Sequence, residues 1–216
     1  MSLSLVRRLL KREHDTESFA KLIGRYYPKF DFRYELIMRA YCTVEDAFAG
    51  KFRENGERYF EHLRAVVLIL IEHLRVHDHE LIVAALLHDI VEDIPTWSYD
   101  RVVREYGMRI ANLVWWLTKP AVDDEFEDEA ERDRHYNEQM HQRAPRDVVV
   151  IKLADRLHNL VTMWDVSAAK RKRKIIETES FYLPIAVRET VLIHEIEEVL
   201  DELKNGHKPK RRRGAT

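Results

Sequence analysis

Cysteine is almost absent from this chain of 216 residues, since Cys42 is the only one. A single cysteine excludes an internal disulfide and fits a reducing compartment. Because Cys42 lies in an amphipathic stretch, we predict that it packs as a small buried hydrophobe and takes no part in catalysis.

Long hydrophobic runs are missing as well. The longest, AVVLILI at 65–71, is too short to cross a bilayer, and the N-terminal residues lack the apolar core and cleavage site of a secretory signal. The formal net charge of −2 gives no general attraction to nucleic acid or to membrane surfaces. We therefore expect a cytoplasmic protein that binds neither.

Glycine and proline are scarce, at six residues each, whereas 45% of the chain is apolar and 34% is charged. This composition is typical of a helical protein, and the length suits one domain with its own core. Apolar residues recur with helical period, and no stretch alternates convincingly as a strand would. We predict an all-α helical bundle, a single domain over 1–206, followed by a basic, disordered tail over 207–216. The predicted helices, the first of them single or paired, cover 4–26, 31–49, 59–75, 78–93, 98–106, 108–118, 145–165, 168–181 and 184–204.

One segment departs sharply from the rest in composition. Residues 123–133 are dense in acidic side chains and offer little to bury. Such a composition favours a solvated loop or a mobile flap.

The stretch ALLHDIVED, residues 85–93, combines features that conflict in an ordinary helix. Its first half is apolar on all sides, which indicates burial. Its second half carries His88, Asp89, Glu92 and Asp93. Clustered carboxylates in a buried place resist ionisation unless a cation compensates them, and a metal ion would do so. The simpler alternative is a satisfied core histidine beside internal salt bridges.

Two further stretches bear on that choice. His62 lies in YFEHLRAVVLILIEHL, where a histidine can simply pack among apolar neighbours. In VVVIKLADRLHNLVTMW, a polar stripe of Lys152, Asp155, Asn159 and Thr162 runs opposite the apolar positions. By itself this stripe fits a solvated face with Lys152–Asp155 or Asp155–Asn159 contacts. The predicted core positions of that helix are Val149, Leu153, Leu157 and Leu160.

Taken together, the three stretches predict a metal centre. Helical bundles build such sites from side chains on facing helices, and a mixed set of imidazole and carboxylate ligands suits a borderline divalent cation. The predicted ligands are His62, His88, Asp89 and Asp155. Glu92 and Asp93 would remain as acid–base groups for an attacking water.

The order H … HDxxED … KLADRxHN resembles the metal-dependent HD hydrolase domain of the RelA/SpoT-type alarmone enzymes. The resemblance is strongest over 41–188 and includes RENGERYFEH, AALLHDIVED, VVVIKLADRLHNLVT and ETESFYLPIA. It implies an HD-domain fold and, because no synthetase region follows, a small single-domain alarmone hydrolase.

The resemblance also implies residue roles. The four ligands named above would bind one metal, typically Mn²⁺, although other transition metals suit the same ligands. Glu92 and Asp93 would orient and deprotonate the attacking water. Arg53 would lie near a guanine, and Asn159, Thr162 and Tyr182 would line the nucleotide pocket. Lys119 and Lys152 would either meet phosphates or form salt bridges.

The implied reaction is hydrolysis of the 3′-pyrophosphate of guanosine tetra- or pentaphosphate, which releases pyrophosphate and GDP or GTP. One departure concerns the base. Where the family has Arg-Lys-Ser-Gly-Glu-Pro-Tyr, this chain has RENGERY at 53–59, so that Glu54 reverses a charge. An adenosine (ppApp-type) alarmone therefore stays open as the substrate.

Three other readings also stay open: another HD nucleotide phosphohydrolase, a sensor that binds an alarmone without turnover, and a metal-free structural bundle. The small-molecule partner is expected to be a nucleotide, and homo-oligomerisation is left open.

Overall fold

The computed structural model describes residues 2–11, 15–121, 126, 128–206 and 208. These residues form an all-α bundle of thirteen helices, and the only β pairing among them is an isolated bridge between Phe52 and Arg58. Of the predicted tail over 207–216, only Lys208 lies within the described residues. The helices are α1 Leu3–Leu10, α2 Thr16–Gly24, α3 Phe32–Ala47, α4 Tyr59–Leu68, α5 His79–Leu87, α6 Ile90–Asp93, α7 Tyr99–Tyr106, α8 Met108–Leu117, α9 Glu129–Arg143, α10 Arg146–Val161, α11 Ala168–Glu177, α12 Leu183–Glu189 and α13 Ile193–Asn205.

Helix α5 lies at the centre of the bundle, as its apolar composition predicts. Every residue from Leu81 to Leu87 is buried, and the helix packs against α3, α4, α8 and α10. Its N-terminus is capped by Asp78, whose carboxylate accepts hydrogen bonds from the amides of Glu80 and Leu81. Helix α10 packs against α4, α5, α8 and α13, and its four predicted core positions are buried. The three helices that carry the predicted ligands therefore meet inside the core.

The predicted helix over 78–93 is interrupted. Helix α5 ends at Leu87, a turn holds His88 and Asp89, and the single-turn α6 follows. The imidazole of His88 hydrogen-bonds the Ala85 carbonyl at 2.8 Å. In a continuous helix this carbonyl would instead accept a hydrogen bond from the amide of residue 89. The break turns the polar residues out of the helix path.

Two predicted helices continue through π-helical turns. Ile69–His73 extends α4, and Thr178–Tyr182 joins α11 to α12. Such turns often occur where a helix contributes to a functional site.

The acidic segment was predicted as a loop, and this is wrong for its second half, where α9 begins at Glu129. Asp128 caps the helix by accepting a hydrogen bond from the Glu131 amide at 2.8 Å. Tyr136, Asn137 and Met140 are buried on one helix face, which supplies the packing that the acidic composition obscured. Residues 122–125 and 127 lie outside the described part of the chain.

The predicted burial of Cys42 is also wrong, since the residue is exposed. Helix α3 buries Ile37, Ala40, Tyr41 and Val44, which follow the helical spacing of one face. Cys42 lies beside that face rather than within it. None of the helices in the described part of the chain has the length and hydropathy needed to cross a bilayer.

Candidate active site

Three of the predicted ligands converge from different helices. His62 of α4, His88 after α5 and Asp155 of α10 each offer one ligand atom, and these atoms all lie within 4.8 Å of one another. The Nε2 atom of His62 lies 3.3 Å from Oδ1 of Asp155, and Nε2 of His88 lies 4.0 Å from the same oxygen. All three residues are at most 5% exposed. The simpler interpretation of His62 and His88 as separately packed histidines is therefore insufficient.

The fourth predicted ligand, Asp89, faces the same group. Its Oδ2 atom lies 3.2 Å from Nε2 of His88 and 3.8 Å from Nε2 of His62. The hydroxyl of Tyr59 donates a hydrogen bond to this oxygen at 2.8 Å. The structure thus brings all four predicted ligands together, and Tyr59 is an orienting residue that the sequence analysis did not identify.

His88 provides a test of whether the group suits a metal ion. Its Nδ1–H donates to the Ala85 carbonyl, since a carbonyl oxygen can only accept, so Nε2 faces the carboxylates. Nε2 is buried and has no hydrogen-bond partner among the described residues. Burial alone would lower the pKa of His88, but the carboxylates of Asp89 and Asp155 raise it to about 9. The surroundings therefore favour positive charge at Nε2, where a divalent cation fits in place of a proton.

Asp155 is held in place by its own helix. Asn159 Nδ2 donates to Oδ1 at 2.6 Å, and Lys152 Nζ lies 3.1 Å from Oδ2. Both contacts were foreseen as features of a solvated face, but Lys152 and Asp155 are buried. Burial would raise the pKa of Asp155, whereas Lys152 and His62 hold it well below its usual range. Asp155 is therefore ionised and held in a fixed position, as a metal ligand would need to be.

The two predicted acid–base residues lie beside this group. Glu92 accepts a hydrogen bond from the Lys119 amide at 3.2 Å, and burial together with the Asp89 charge raises its pKa. Burial also raises the pKa of Asp93, although the Tyr59 hydroxyl opposes the shift. A raised pKa brings a carboxyl group closer to the range that acid–base catalysis at neutral pH requires.

A cavity of about 210 Å³ opens beside the ligands. It is lined by ten of the twelve predicted site residues, all except His88 and Asp93: Arg53, His62, Asp89, Glu92, Lys119, Lys152, Asp155, Asn159, Thr162 and Tyr182.

Three of the predicted pocket residues form one hydrogen-bonded network. The guanidinium of Arg53 donates to Asn159 Oδ1 and to Thr162 Oγ1, the latter at 3.2 Å. Glu57 accepts from the same guanidinium at 3.3 Å. The Arg53 side chain is thereby held against α10 at the cavity wall.

Two other predicted residues have protein partners already. The Tyr182 hydroxyl donates to Asn137 Oδ1 at 2.8 Å, and the Arg156 guanidinium lies over the tyrosine ring, 3.8 Å from its centroid. Lys119 forms an ion pair with Asp133 at 2.9 Å. Of the two roles left open for Lys119, the structure contains the salt bridge.

Three more cationic residues line the cavity and were not predicted: Arg156, Lys170 and Lys174. In the sequence, Arg156 is the arginine of KLADR, and the two lysines belong to the basic run in α11. These were the only signals for them. Glu177 pairs with Arg156 at 2.9 Å and with Lys174 at 2.6 Å. Burial and the neighbouring Arg156 charge lower the pKa of Lys174 to about 8.

Two further residues near the site are Glu54, which lines the cavity, and His158, which does not. Glu54, the charge reversal noted in the sequence, forms an ion pair with Lys170 at the cavity rim. His158 was not identified, although it lies one turn from Asp155. Its Nδ1 atom is 2.8 Å from Nδ1 of His62, in the buried interior behind the ligands.

Comparison with known proteins identifies the family of the chain. The HD domain family matches residues 40–192. The bifunctional (p)ppGpp synthase/hydrolase SpoT of Escherichia coli K12 is 36% identical over 190 residues, which cover 87% of this chain and 26% of that protein. The guanosine-3′,5′-bis(diphosphate) 3′-pyrophosphohydrolase of Aquifex aeolicus is 36% identical over 174 residues, covering 80% of this chain and 23% of the relative. The chain thus spans about a quarter of the length of these curated relatives.

A solved structure shares the fold. It is described as a metazoan ortholog of SpoT that hydrolyses ppGpp, and it aligns with a TM-score of 0.65 at 24% identity. The alignment covers 80% of this chain and 95% of the other. At this identity the likeness confirms the all-α fold and carries no statement about activity.

Proposed function

The chain belongs to the HD domain family, and we propose that it is a metal-dependent hydrolase of alarmones. Its reaction would remove the 3′-pyrophosphate of guanosine 3′,5′-bis(diphosphate) and related nucleotides, releasing pyrophosphate and GDP or GTP. The observation that carries the proposal is the convergence of His62, His88 and Asp155 at the end of a cavity lined with cations. The names of the matched relatives support the choice of substrate.

The proposed metal ligands are His62, His88, Asp89 and Asp155, with Mn²⁺ as the expected ion. Imidazole and carboxylate ligands also accept other transition metals, so the ligand set does not select one. When bound, the cation would polarise the 3′-linked phosphate and lower the pKa of the attacking water.

Glu92 and Asp93 take the proton of the attacking water in this proposal. The water oxygen forms a bond to the phosphorus attached to the ribose 3′-oxygen, and the bond between that phosphorus and the 3′-oxygen breaks. Pyrophosphate leaves, and the proton taken from the water passes from the carboxyl group to the 3′-oxygen, which becomes a hydroxyl. The raised pKa values of both carboxyl groups suit this exchange.

The cavity wall suits a densely anionic substrate. Six cationic side chains line it, and cations bind phosphate through charge-assisted hydrogen bonds. The six are Arg53, Lys119, Lys152, Arg156, Lys170 and Lys174. A nucleotide with diphosphates at both the 3′ and 5′ positions would engage more of them than a 5′-nucleotide would. Arg53, Asn159, Thr162 and Tyr182 are proposed to border the nucleoside.

A second candidate substrate is an adenosine alarmone. The observation in its favour is Glu54, which places a carboxylate at the rim where the family resemblance implies a lysine. Because Glu54 is paired with Lys170, its charge is largely balanced, which favours retention of the guanosine substrate. A cytoplasmic location, expected from the single cysteine, belongs to the proposal as well.

The test offers purified, Mn²⁺-loaded protein each of three substrates: a guanosine and an adenosine 3′-pyrophosphate nucleotide, and GTP as the 5′-only control. Pyrophosphate release is followed in each case. We expect release from the guanosine substrate and none from GTP. Release from the adenosine substrate alone would move the assignment to adenosine alarmones. Metal binding without cleavage of either 3′-pyrophosphate would leave the sensor or another phosphohydrolase as the better reading.

A further inference from the structure

We propose that His158 is a positioning residue that fixes the tautomer of the metal ligand His62. In this arrangement Nδ1–H of His62 donates to Nδ1 of His158, which leaves Nε2 of His62 as the ligand nitrogen. The inference rests on the proposed function in one respect, namely that His62 holds a metal ion.

The contact between the two imidazoles is direct and buried. Their Nδ1 atoms lie 2.8 Å apart, and both residues are 2% exposed. A neutral imidazole has one donor nitrogen and one acceptor nitrogen. At this distance one Nδ1 must donate a proton and the other must accept it, so the tautomers of the two rings are coupled.

Arg53 decides the direction of that hydrogen bond. Its Nη1 atom lies 3.4 Å from Nδ1 of His158, and a guanidinium can donate hydrogen bonds but cannot accept them. A proton on Nδ1 of His158 would therefore face an N–H of Arg53. The favourable arrangement leaves this nitrogen unprotonated, so that its lone pair faces the Arg53 guanidinium and accepts the shorter hydrogen bond from His62. The proton of His62 then lies on Nδ1.

The other nitrogen of His62 consequently faces the candidate metal site as a lone pair. Nε2 lies 3.3 Å from Oδ1 of Asp155. The reverse tautomer would instead place a proton on Nε2, pointing at this oxygen, and a metal ion would have to displace it. His158 thus keeps His62 in the form that binds a cation.

The imidazole of His88 also donates a hydrogen bond from Nδ1–H, but to a different kind of partner. Nδ1–H of His88 donates to the Ala85 carbonyl, which also leaves Nε2 to face the carboxylates. Ligand histidines commonly donate their remaining N–H to a carbonyl or carboxylate, and loss of such a partner costs about 10–100-fold in metal affinity. His62 differs because its acceptor is a second imidazole, whose own tautomer is set by Arg53.

The test compares two substitutions at position 158. His158→Asn retains an acceptor close to the position of Nδ1, whereas His158→Leu removes the acceptor at similar volume. His73→Leu is the matched control, because His73 is also buried and bonded, to Glu195 at 2.9 Å, and it does not line the cavity. The Mn²⁺ dissociation constant is measured by chelator competition, alongside thermal unfolding of the metal-free protein and kcat and KM.

We expect His158→Leu to weaken Mn²⁺ binding by about 10–100-fold. His158→Asn should stay within about threefold of the wild type, since a hydrogen-bond acceptor is kept. His73→Leu should lower the unfolding temperature and leave the dissociation constant unchanged. Equal Mn²⁺ affinity in the wild type and His158→Leu, or equal weakening in both position-158 variants, would overturn the proposal.

A second measurement needs no variant and decides the matter if His158→Leu does not fold. The imidazole ¹H–¹⁵N spectrum of metal-free wild-type protein reports which nitrogen of each histidine carries the proton. We expect Nδ1–H at His62, and Nε2–H there would overturn the inference. Wild-type protein that binds no divalent cation would overturn the metal centre and the ligand role of His62, whereas unchanged affinity in the variants overturns only the role of His158.

Discussion

The two ends of the cavity are built differently. At the closed end, His62, His88 and Asp155 are buried within or directly after core helices. At the open end, Glu54 and Lys170 have side chains that are 46% and 40% exposed. The closed end concentrates the candidate metal ligands, whereas the open end carries paired surface charges.

The helices behind the two ends explain the contrast. Seven consecutive residues of α5 are buried, whereas every residue of α11 is at least partly exposed. A ligand set on a buried helix is held before the metal arrives, which limits the reorganisation needed for binding. Charges on a solvated helix are screened and can rearrange around a substrate. We therefore expect substitutions at the closed end to remove the chemistry and substitutions at the open end to tune affinity.

The largest effect is expected from loss of a ligand. His88→Ala or Asp155→Ala should abolish both bound metal and turnover. Either change removes a proposed ligand and leaves the neighbouring buried charged groups unpaired. Metal content of the purified protein and pyrophosphate release measure the two effects. Asp147→Ala is the control, since Asp147 lies on the same helix as Asp155 but pairs with Arg109 at the surface. Turnover retained in either ligand variant would remove that residue from the ligand set.

The next largest effect is expected at the acid–base pair. The double variant Glu92→Gln, Asp93→Asn should lose about 10²–10⁴-fold in kcat, the range for general acid–base catalysis. Metal binding should persist, because neither residue is a proposed ligand. The same kcat in the variant and the wild type would show that these carboxyl groups do not handle the proton.

A smaller effect is expected from the cationic residues of α11 that line the cavity. Lys174→Met should raise KM by about 10–100-fold with a lesser change in kcat, since a charge-assisted hydrogen bond contributes about 1.5–3 kcal/mol. Lys172→Met is the matched control, because Lys172 is an exposed lysine on α11 that does not line the cavity. Equal KM values in the two variants would mean that Lys174 does not bind substrate.

The lowered pKa of Lys174 predicts that KM depends on pH. With a pKa of about 8, the lysine loses its charge as the pH rises through 8, so KM should rise between pH 7 and 9. Lys174→Arg should flatten this rise, because arginine stays charged throughout. The same KM profile in Lys174→Arg and the wild type would contradict the assignment.

The lowered pKa of Lys174 also affects stability. Between about pH 8 and 10.5 the unfolded chain binds more protons at this residue than the folded protein, so the contribution of Lys174 to the free energy of unfolding increases with pH there.

The smallest effect is expected from Glu54→Lys. Because the pair with Lys170 is partly exposed, its contribution is about 0–1 kcal/mol, which corresponds to at most about fivefold in kcat/KM. We expect the change to favour the guanosine over the adenosine substrate. The double variant Glu54→Lys, Lys170→Glu restores an ion pair and separates the sign of the charge at position 54 from loss of the pair. An unchanged ratio of the two substrates would show that Glu54 does not select the base.

Much of the molecule could be predicted from local patterns. The apolar face of α10 follows helical spacing. The like charges of ALLHDIVED indicated a missing cation, because burying clustered carboxylates without one costs free energy. The acidic content of 123–133 misled the prediction of α9, since the anchoring contacts of Tyr136 and Met140 come from other helices. Cys42 was misplaced because one position on an amphipathic helix cannot be assigned to a face without knowing where the neighbouring helices pack.

The sequence by itself determined the helical class, the residue types of the candidate metal centre and their order along the chain, because helix periodicity and charge clustering are local properties. The tertiary structure decided the break of the helix at His88, the burial of the Lys152–Asp155 pair and the contact between His62 and His158. These depend on distances between residues far apart in the chain, and only the packing of α4, α5 and α10 against one another sets such distances.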